Sequence, residues 1–452
     1  MSKKYANLKN GWMLRGWTNT PYALVNWTSG EICELTAKGF YVARSCDGKI
    51  DFNSIAFLPE HQAILNFFLK KGIAKECPGG SVNEQYQNYR KAENPLVRMI
   101  HWVITGRCNL KCRHCYVEAP SGRYGELPFE DIVSFIEKFE QANVYSVAIT
   151  GGEPFIRKDF LKILECLSQK KINVSQVYSN GILITPAHLS FIHELGFAPL
   201  FHISFDGCGA HDRMRGLQGC EELTIQAINT LRKNGFRVAV NTMIDKTNID
   251  RLPDTYSLLK ELGITSWRIG PPNEIGNWKG SSTALSMLEQ VKALSELTRC
   301  WLTDGKPFHI KMSGFYNSSQ TKSASESEFV YTMEDYDCAA CRERPSLQSD
   351  GYLLPCPMYV DSVLYLKMPN LLQNDLSKVL SESILRTVAD QKKKDILTYN
   401  PECAQCNFLK KCGMGCRASA THNTMNPLSR DPVVCAILKG GYMSLFHELA
   451  GV

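Results

Sequence analysis

The chain has 452 residues, is 44% hydrophobic and 21% charged, and carries a formal net charge of +6. That length suits two or three domains of ordinary globular composition. It contains no apolar run long enough to span a bilayer. The N-terminus, MSKKYANLKNGWMLRGW, lacks the apolar stretch of a signal peptide, so the expected location is cytoplasmic, with no membrane partner. The modest positive charge is compatible with an acidic peptide partner and lacks the dense basic stripe of a nucleic-acid binder; Lys392, Lys393 and Lys394 read as a solvated helix face.

Residues 1–77 read as short strands followed by helices. YALVNW (22–27) and EICELT (31–36) are strand-like and joined by the turn Thr28-Ser29-Gly30. A helix follows through AKGFYVARS and stops at Asp47-Gly48. Another starts at Pro59, carries Ile64, Leu65, Phe68 and Leu69 on one face, and stops at Gly72. The Gly- and Pro-bearing stretch 78–97 reads as a linker.

From 98 to 310 strands alternate with amphipathic segments. The strand candidates are MIHWVIT (99–105), VYSVAIT (144–150), NVSQVYS (173–179), PLFHISF (199–205), RVAVNTM (237–243) and TSWRIG (265–270). Stripes such as Ile132, Phe135, Ile136 and Phe139, or Leu223, Ala227, Ile228 and Leu231, mark helices between them. Six β-α units in series imply an α/β fold: a parallel sheet with helices outside and chemistry at the carboxyl ends of the strands. Residues 311–337, which include NSSQTKSASESE, read as a flexible bridge, and a cysteine-rich block follows from 338 to 452.

Eighteen cysteines are many for a reducing compartment. Clustered at short spacings, they suggest metal rather than disulfides. Cys33, Cys46, Cys77, Cys166, Cys208, Cys220 and Cys300 are scattered and read as small buried hydrophobes. Cys108-x3-Cys112-x2-Cys115 directly follows the first strand and puts three thiolates on one loop. Three thiolates can hold three irons of a cubane cluster and leave the fourth open. The alternative is zinc with His114 as a fourth ligand, although His114 lies beside two of the cysteines and cannot easily wrap back onto their metal. In the tail come Cys338-x2-Cys341, Cys356, then Cys403-x2-Cys406-x5-Cys412-x3-Cys416, then Cys435. Two zinc ribbons are the alternative there.

TGRCNLKCRHCY, followed by TGGEPF (150–155), SNG (179–181), ISFDG (203–207) and HDRMRG (211–216), resembles the radical S-adenosylmethionine (SAM) enzymes. The resemblance implies a partial (β/α)6 TIM barrel and a [4Fe-4S] cluster on Cys108, Cys112 and Cys115. The open iron of that cluster would chelate SAM. Reductive cleavage would give a 5′-deoxyadenosyl radical, which takes hydrogen from a substrate. It further implies that Gly151, Gly152 and Glu153 recognise the SAM amino group. Tyr116 would lie near the adenine, Ser179 and Ser204 near the ribose and carboxylate, and Arg215 as a fork onto the carboxylate. From Cys341 to Cys435 the spacing resembles the SPASM domain of radical SAM peptide maturases. Its interleaved topology implies one auxiliary [4Fe-4S] cluster on Cys338, Cys341, Cys356 and Cys416. The second would sit on Cys403, Cys406, Cys412 and Cys435, making three clusters in all. Whether Cys338 ligates, or leaves that cluster an open iron, stays undecided.

The N-terminal block, through Leu35, Gly39, Cys46, Asp47 and Gly48, resembles the winged-helix-like recognition domain fused to many maturases of ribosomally made peptides. That implies a leader peptide added as a strand beside EICELT. Together these resemblances imply an oxidoreductase acting on a precursor peptide, with a flavodoxin or ferredoxin as reducing partner. A thioether cross-link comes first, then carbon–carbon cross-linking, then epimerisation with Cys208 as the hydrogen-returning thiol. A sulfatase-maturing enzyme is a further alternative, but Pro357 stands where that branch has a basic-acting Asp after the cysteine. A zinc-binding interaction protein is the alternative of a different class.

Overall fold

The computed structural model describes residues 3–81, 89–119, 124–319 and 332–452. Among these, the N-terminal block contains an antiparallel meander of β2 (Trp12–Gly16), β3 (Ala23–Asn26) and β4 (Ile32–Glu34), which leaves β4 at the sheet edge. Before it, β1 (Tyr5–Leu8) pairs with β5 (Ala74–Cys77). The β3–β4 turn forms because the Asn26 side chain accepts the amides of Thr28 and Ser29 at 3.0 and 3.3 Å. Helix α1 (Ala37–Ser45) begins where the Thr36 hydroxyl accepts the Gly39 amide, and α2 (Pro59–Lys70) begins on its proline. The sequence reading missed β2 because its apolar residues do not alternate. Trp12 and Leu14 enter one core with Val42, Leu65 and Phe68, while Met13 enters another with Trp17 and Tyr145. Part of the expected linker also belongs to this sheet: β6 (Arg90–Lys91) joins β2 in parallel. Residues 82–88 of the linker lie outside the described residues.

Six parallel strands follow in series: β7 (Ile100–Val103), β8 (Ser146–Thr150), β9 (Asn173–Ser179), β10 (Leu200–Ser204), β11 (Val238–Met243) and β12 (Ser266–Gly270). A seventh, β13 (His309–Met312), adds in parallel to β12, and β14 (Tyr316–Asn317) turns back on it. The expected boundary at 310 therefore cuts through a strand. Its two basic residues, His309 and Lys311, disguise a strand as polar bridge; residues 320–331 of that bridge lie outside the described residues. The outward side chains of the strands, among them Trp102, Ile149, Val177, Phe201, Val240 and Trp267, pack on apolar stripes of the surrounding helices. These helices are α3 (Phe129–Gln141), α4 (Phe160–Gln169), α5 (Pro186–Glu194), α6 (His211–Arg215), α7 (Cys220–Lys233), α8 (Leu252–Glu261) and α9 (Met287–Thr303). Trp102 meets Phe139 of α3 edge-on at 5.1 Å. The alternate residues face the barrel interior and are largely polar.

The C-terminal block has little regular sheet. Its β15 (Ser346–Leu347) and β16 (Leu353–Leu354) form a hairpin, and β15 extends the barrel sheet in parallel beside β7. Short helices carry the remaining cysteines. Among the described residues no single helix is long and apolar enough to cross a membrane.

Candidate active site at the carboxyl ends of the barrel strands

The loop after β7 carries Cys108, Cys112 and Cys115, and three neighbouring loops hold it by backbone. The amides of Lys111 and Arg113 donate to the carbonyls of Arg215 and Met214 at 3.2 and 3.0 Å, docking the loop on α6. The Asn277 amide donates to the Cys115 carbonyl at 3.0 Å. The amides of Gly152 and Glu153 donate to the carbonyls of Thr105 and Arg107 at 2.8 and 2.9 Å. This last contact explains the double glycine: a Cβ on Gly152 would collide with the Arg107 carbonyl oxygen. The close approach that needs glycine is to the cysteine loop itself.

The thiols are half-buried, and Sγ of Cys108 and Cys115 accept the amides of Leu110 and Ala119 at 3.4 and 3.3 Å. Burial pushes the Cys108 thiol up to about 12. A thiol so placed stays protonated until a cation compensates the charge. Glu153 is fully buried. One carboxylate oxygen accepts the Ser179 hydroxyl at 2.8 Å and the Phe155 amide at 3.2 Å; the other accepts the Asn180 amide at 2.8 Å. Burial pushes its carboxyl up to about 7 against those donors. Asn180 in turn donates to the Asn109 side chain at 2.8 Å, tying the strand-β9 end to the cysteine loop.

Arg215 is buried, and its fork closes on a carboxylate of this chain. Nε lies 2.7 Å from Asp206 Oδ2, Nη2 donates to Oδ1 at 3.0 Å, and Nη1 points at Cys112 Sγ at 3.6 Å. Asp206 also accepts the Met243 amide at 3.0 Å and has His114 Nε2 at 3.7 Å. Burial drives His114 down to about 4, leaving it neutral. Asp206 was visible in ISFDG, but sequence reading passed over it in favour of Ser204; an acidic residue just past a strand end, followed by an arginine nine residues on, was the available signal. Ser204 ends β10 on the interior face. The backbone of Tyr116 passes tightly against Gly276, and burial raises its phenol above the ordinary tyrosine range.

Residues 102–259 match the family model of the Radical SAM superfamily. The match spans 158 of the 452 residues, and over that stretch the chain is similar to the superfamily. The chain is 25% identical over 357 residues to the AdoMet-dependent heme synthase of Nitratidesulfovibrio vulgaris, a match covering 75% of this chain and 92% of that one. Its fold is similar to that of Streptococcus suis SuiB bound to precursor peptide SuiA. The TM-score is 0.64 at 16% identity, over 95% of this chain and 99% of that one. It is also similar to anSMEcpe with bound AdoMet and Cp18Cys peptide. There the TM-score is 0.59 at 21% identity, over 79% and 97% of the two chains.

The radical SAM superfamily works with a [4Fe-4S] cluster and SAM; the residue types at this site suit both, although among the described residues no three donors already stand grouped around a metal position. Three thiols share one loop, a buried carboxylate stands beside them, and a cationic fork reaches the middle cysteine. When bound, the pair supplies a hydrogen-abstracting carbon radical. The chain's own residues would position it.

The fold brings the tail cysteines together in two groups. Cys403, Cys406, Cys412 and Cys435 line one cavity with Leu409, Met414 and Asp431. Cys338, Cys341, Cys356 and Cys416 lie near enough for their charges to repel one another, and burial pushes the Cys341 thiol up to about 12. Asp431 joins the groups, accepting the Cys416 amide at 2.8 Å. Beside Cys338, fully buried Asp337 pairs with fully buried Arg417, beside Cys416, at 2.8 Å. Arg417 also donates to the carbonyls of Pro427 and Ser429 at 2.9 and 2.8 Å. Sequence reading gave no hint of this pair, since nothing in either neighbourhood marks a partner some eighty residues away. Cys208 is not brought to the Cys108 loop. Its amide donates to Thr255 of α8 at 3.0 Å, and its charged neighbours are Glu221, Asp254 and Arg251.

Proposed function

We propose that this radical SAM enzyme is a maturase of a ribosomally made precursor peptide. Cys108, Cys112 and Cys115 would hold the SAM cluster, with Tyr116, Gly151, Gly152, Glu153, Ser179, Ser204 and Arg215 around SAM. The two groups of four tail cysteines would hold two auxiliary [4Fe-4S] clusters, for about twelve irons in all. The Asp337–Arg417 pair supports Cys338 as a full ligand, because it fixes the residues beside Cys338 and Cys416 together. The observation that carries the peptide reading is the edge strand β4. Its outer side is unpaired among the described residues, in a domain that stands before the barrel. A leader segment added there would gain main-chain hydrogen bonds, with specificity from the α1 side. SuiB and anSMEcpe, whose fold this chain shares, were both captured with peptides.

Within that class we place thioether formation first. Joining a thiol sulfur to a carbon removes two hydrogen atoms, that is two protons and two electrons, from the peptide; the 5′-deoxyadenosyl radical would take one hydrogen atom, the thiol proton would leave to solvent, and an auxiliary cluster would accept the remaining electron. A reducing, cytoplasmic setting keeps the clustered thiols available to iron, and a flavodoxin or ferredoxin would deliver the electron. A second reading, action on a heme precursor rather than a peptide, is favoured by the long match to a heme synthase.

The test is anaerobic reconstitution with iron and sulfide, then SAM, reductant and the short peptides encoded beside this gene. Formation of 5′-deoxyadenosine with a peptide lighter by two hydrogens supports the reading. Turnover of SAM without change in any such peptide removes it.

A further inference from the structure

The barrel interior opposite the cysteine loop is cationic. Ser204, Asn241, Arg268 and Lys311 lie in one row across β10 to β13, with Arg268 and Lys311 directly opposite on adjacent strands. Both are exposed on the interior face, because their neighbours Trp267, Ile269, Ile310 and Met312 are the residues buried outward. One layer nearer the amino ends, the His202 ring stacks on Tyr178 at 4.3 Å, and His101 meets Tyr178 edge-on at 5.4 Å. Arg344, just before the β15 strand beside β7, completes the ring of basic groups: it acts electrostatically on His101, His202 and Lys311.

Like charges directly opposite on neighbouring strands oppose folding unless something offsets them. Among the described residues, no carboxylate forms an ion pair with Arg268, Lys311 or Arg344. Their field shows at Lys311, whose ammonium is held below its ordinary range first by desolvation and then by Arg268 and Arg344. Hydrogen bonding is incomplete as well. His101 is 6% exposed with Nδ1 unpartnered, and both ring nitrogens of His202 are buried without a partner. Burial drives both imidazoles down to about 3, so each is neutral and keeps one N–H to donate. Two guanidinium groups, an ammonium and two such imidazoles thus converge on one space below the SAM loop.

We infer that the barrel interior binds a carboxylate of the substrate through Arg268, Lys311 and Arg344, so that the reacting residue is presented to the SAM site with an acidic group anchored beneath it. The inference rests on the peptide reading and narrows it. The modified segment would carry either an Asp or Glu side chain or its own C-terminal carboxylate near the reacting position. A charge-assisted hydrogen bond to carboxylate discriminates strongly against the isosteric amide.

The test uses the reconstituted full chain saturated with SAM, so that SAM's own carboxylate is already placed. Isothermal titration compares three probes: N-acetyl-alanyl-glutamate amide, N-acetyl-dialanine with a free C-terminus, and N-acetyl-alanyl-glutamine amide. At least one carboxylate probe is expected to bind about tenfold more tightly than the glutamine probe; which one does so identifies side chain or terminus. In Arg268→Gln/Lys311→Gln that ratio should fall to about twofold, while the charge-preserving Arg268→Lys/Lys311→Arg keeps most of it and guards against misfolding. Equal binding of all three probes to the unmodified chain, or a ratio that survives the glutamine pair, overturns the inference. A carboxylate preference in a chain that modifies no peptide would leave this site standing and remove the peptide reading.

Discussion

The two cysteine-bearing regions are built on different principles. The Cys108 loop sits on a continuous parallel sheet whose outward faces are buried apolar side chains, and backbone hydrogen bonds from three neighbouring loops fix it. The tail cysteines sit on short helices and turns, held by buried polar side chains such as Asp337, Arg417 and Asp431. The apolar core of the first region continues into the second through Leu347, Leu376, Leu385 and Phe446. Within it, the short helices Pro401–Gln405 and Leu409–Cys412 bury no side chain, so around Cys403, Cys406 and Cys412 metal would supply cohesion that apolar packing does not.

The sharpest way to break this contrast is to remove the metal. Chelation under reducing conditions should leave the barrel folded and open the tail, with proteolysis concentrated between 392 and 435 and far-UV helicity falling only in part. A single cooperative loss of both regions would abolish the distinction. Next in size is the Asp337–Arg417 pair. Removing one partner of a buried ion pair costs about 3–5 kcal/mol. Arg417→Met should therefore unfold the tail in denaturant well before the barrel and lower the iron count by about a third.

A smaller effect is expected in the barrel. Gly152→Ala forces the Arg107 carbonyl away, an overpacking cost of about 1–3 kcal/mol. The barrel should stay folded in circular dichroism while the Cys108 loop loses its iron and 5′-deoxyadenosine formation stops. The smallest effect is that of pH on Glu153. Its folded carboxyl titrates at about 7, above the unfolded value, so the native state holds the extra proton. The stability it contributes is present at acid pH and declines as pH rises through about 7. In SAM-free protein, Glu153→Gln should flatten that decline in the barrel's denaturant midpoint measured from pH 5 to 8.

The same contrast governs what could be read from sequence. Strands β7 to β12 were legible because each is a short apolar run at the start of a β-α unit, and the Cys108 loop was legible because its donors are adjacent in the chain. Strand β2 was hidden by burial on both faces, and β13 by basic residues that face the barrel interior. The Asp206–Arg215 fork was half legible: both residues stood out in motifs, but their pairing depends on how α6 folds back on the loop. Asp337 and Arg417 were invisible, since a buried pair between distant segments leaves no local pattern. The rows of interior side chains, Arg268 and Lys311 among them, become meaningful only once strand register is known.

The β15–β7 pairing also dictates an order of events as the chain is made. Strand β7, Ile-His-Trp-Val, opens the barrel but lacks its outer neighbour until residues beyond 346 have left the ribosome. For most of synthesis, then, an apolar strand edge stands open beside the loop that takes up iron. Such edges invite pairing with other chains. Slow or stalled translation of the tail should therefore produce insoluble protein even though every barrel strand is complete.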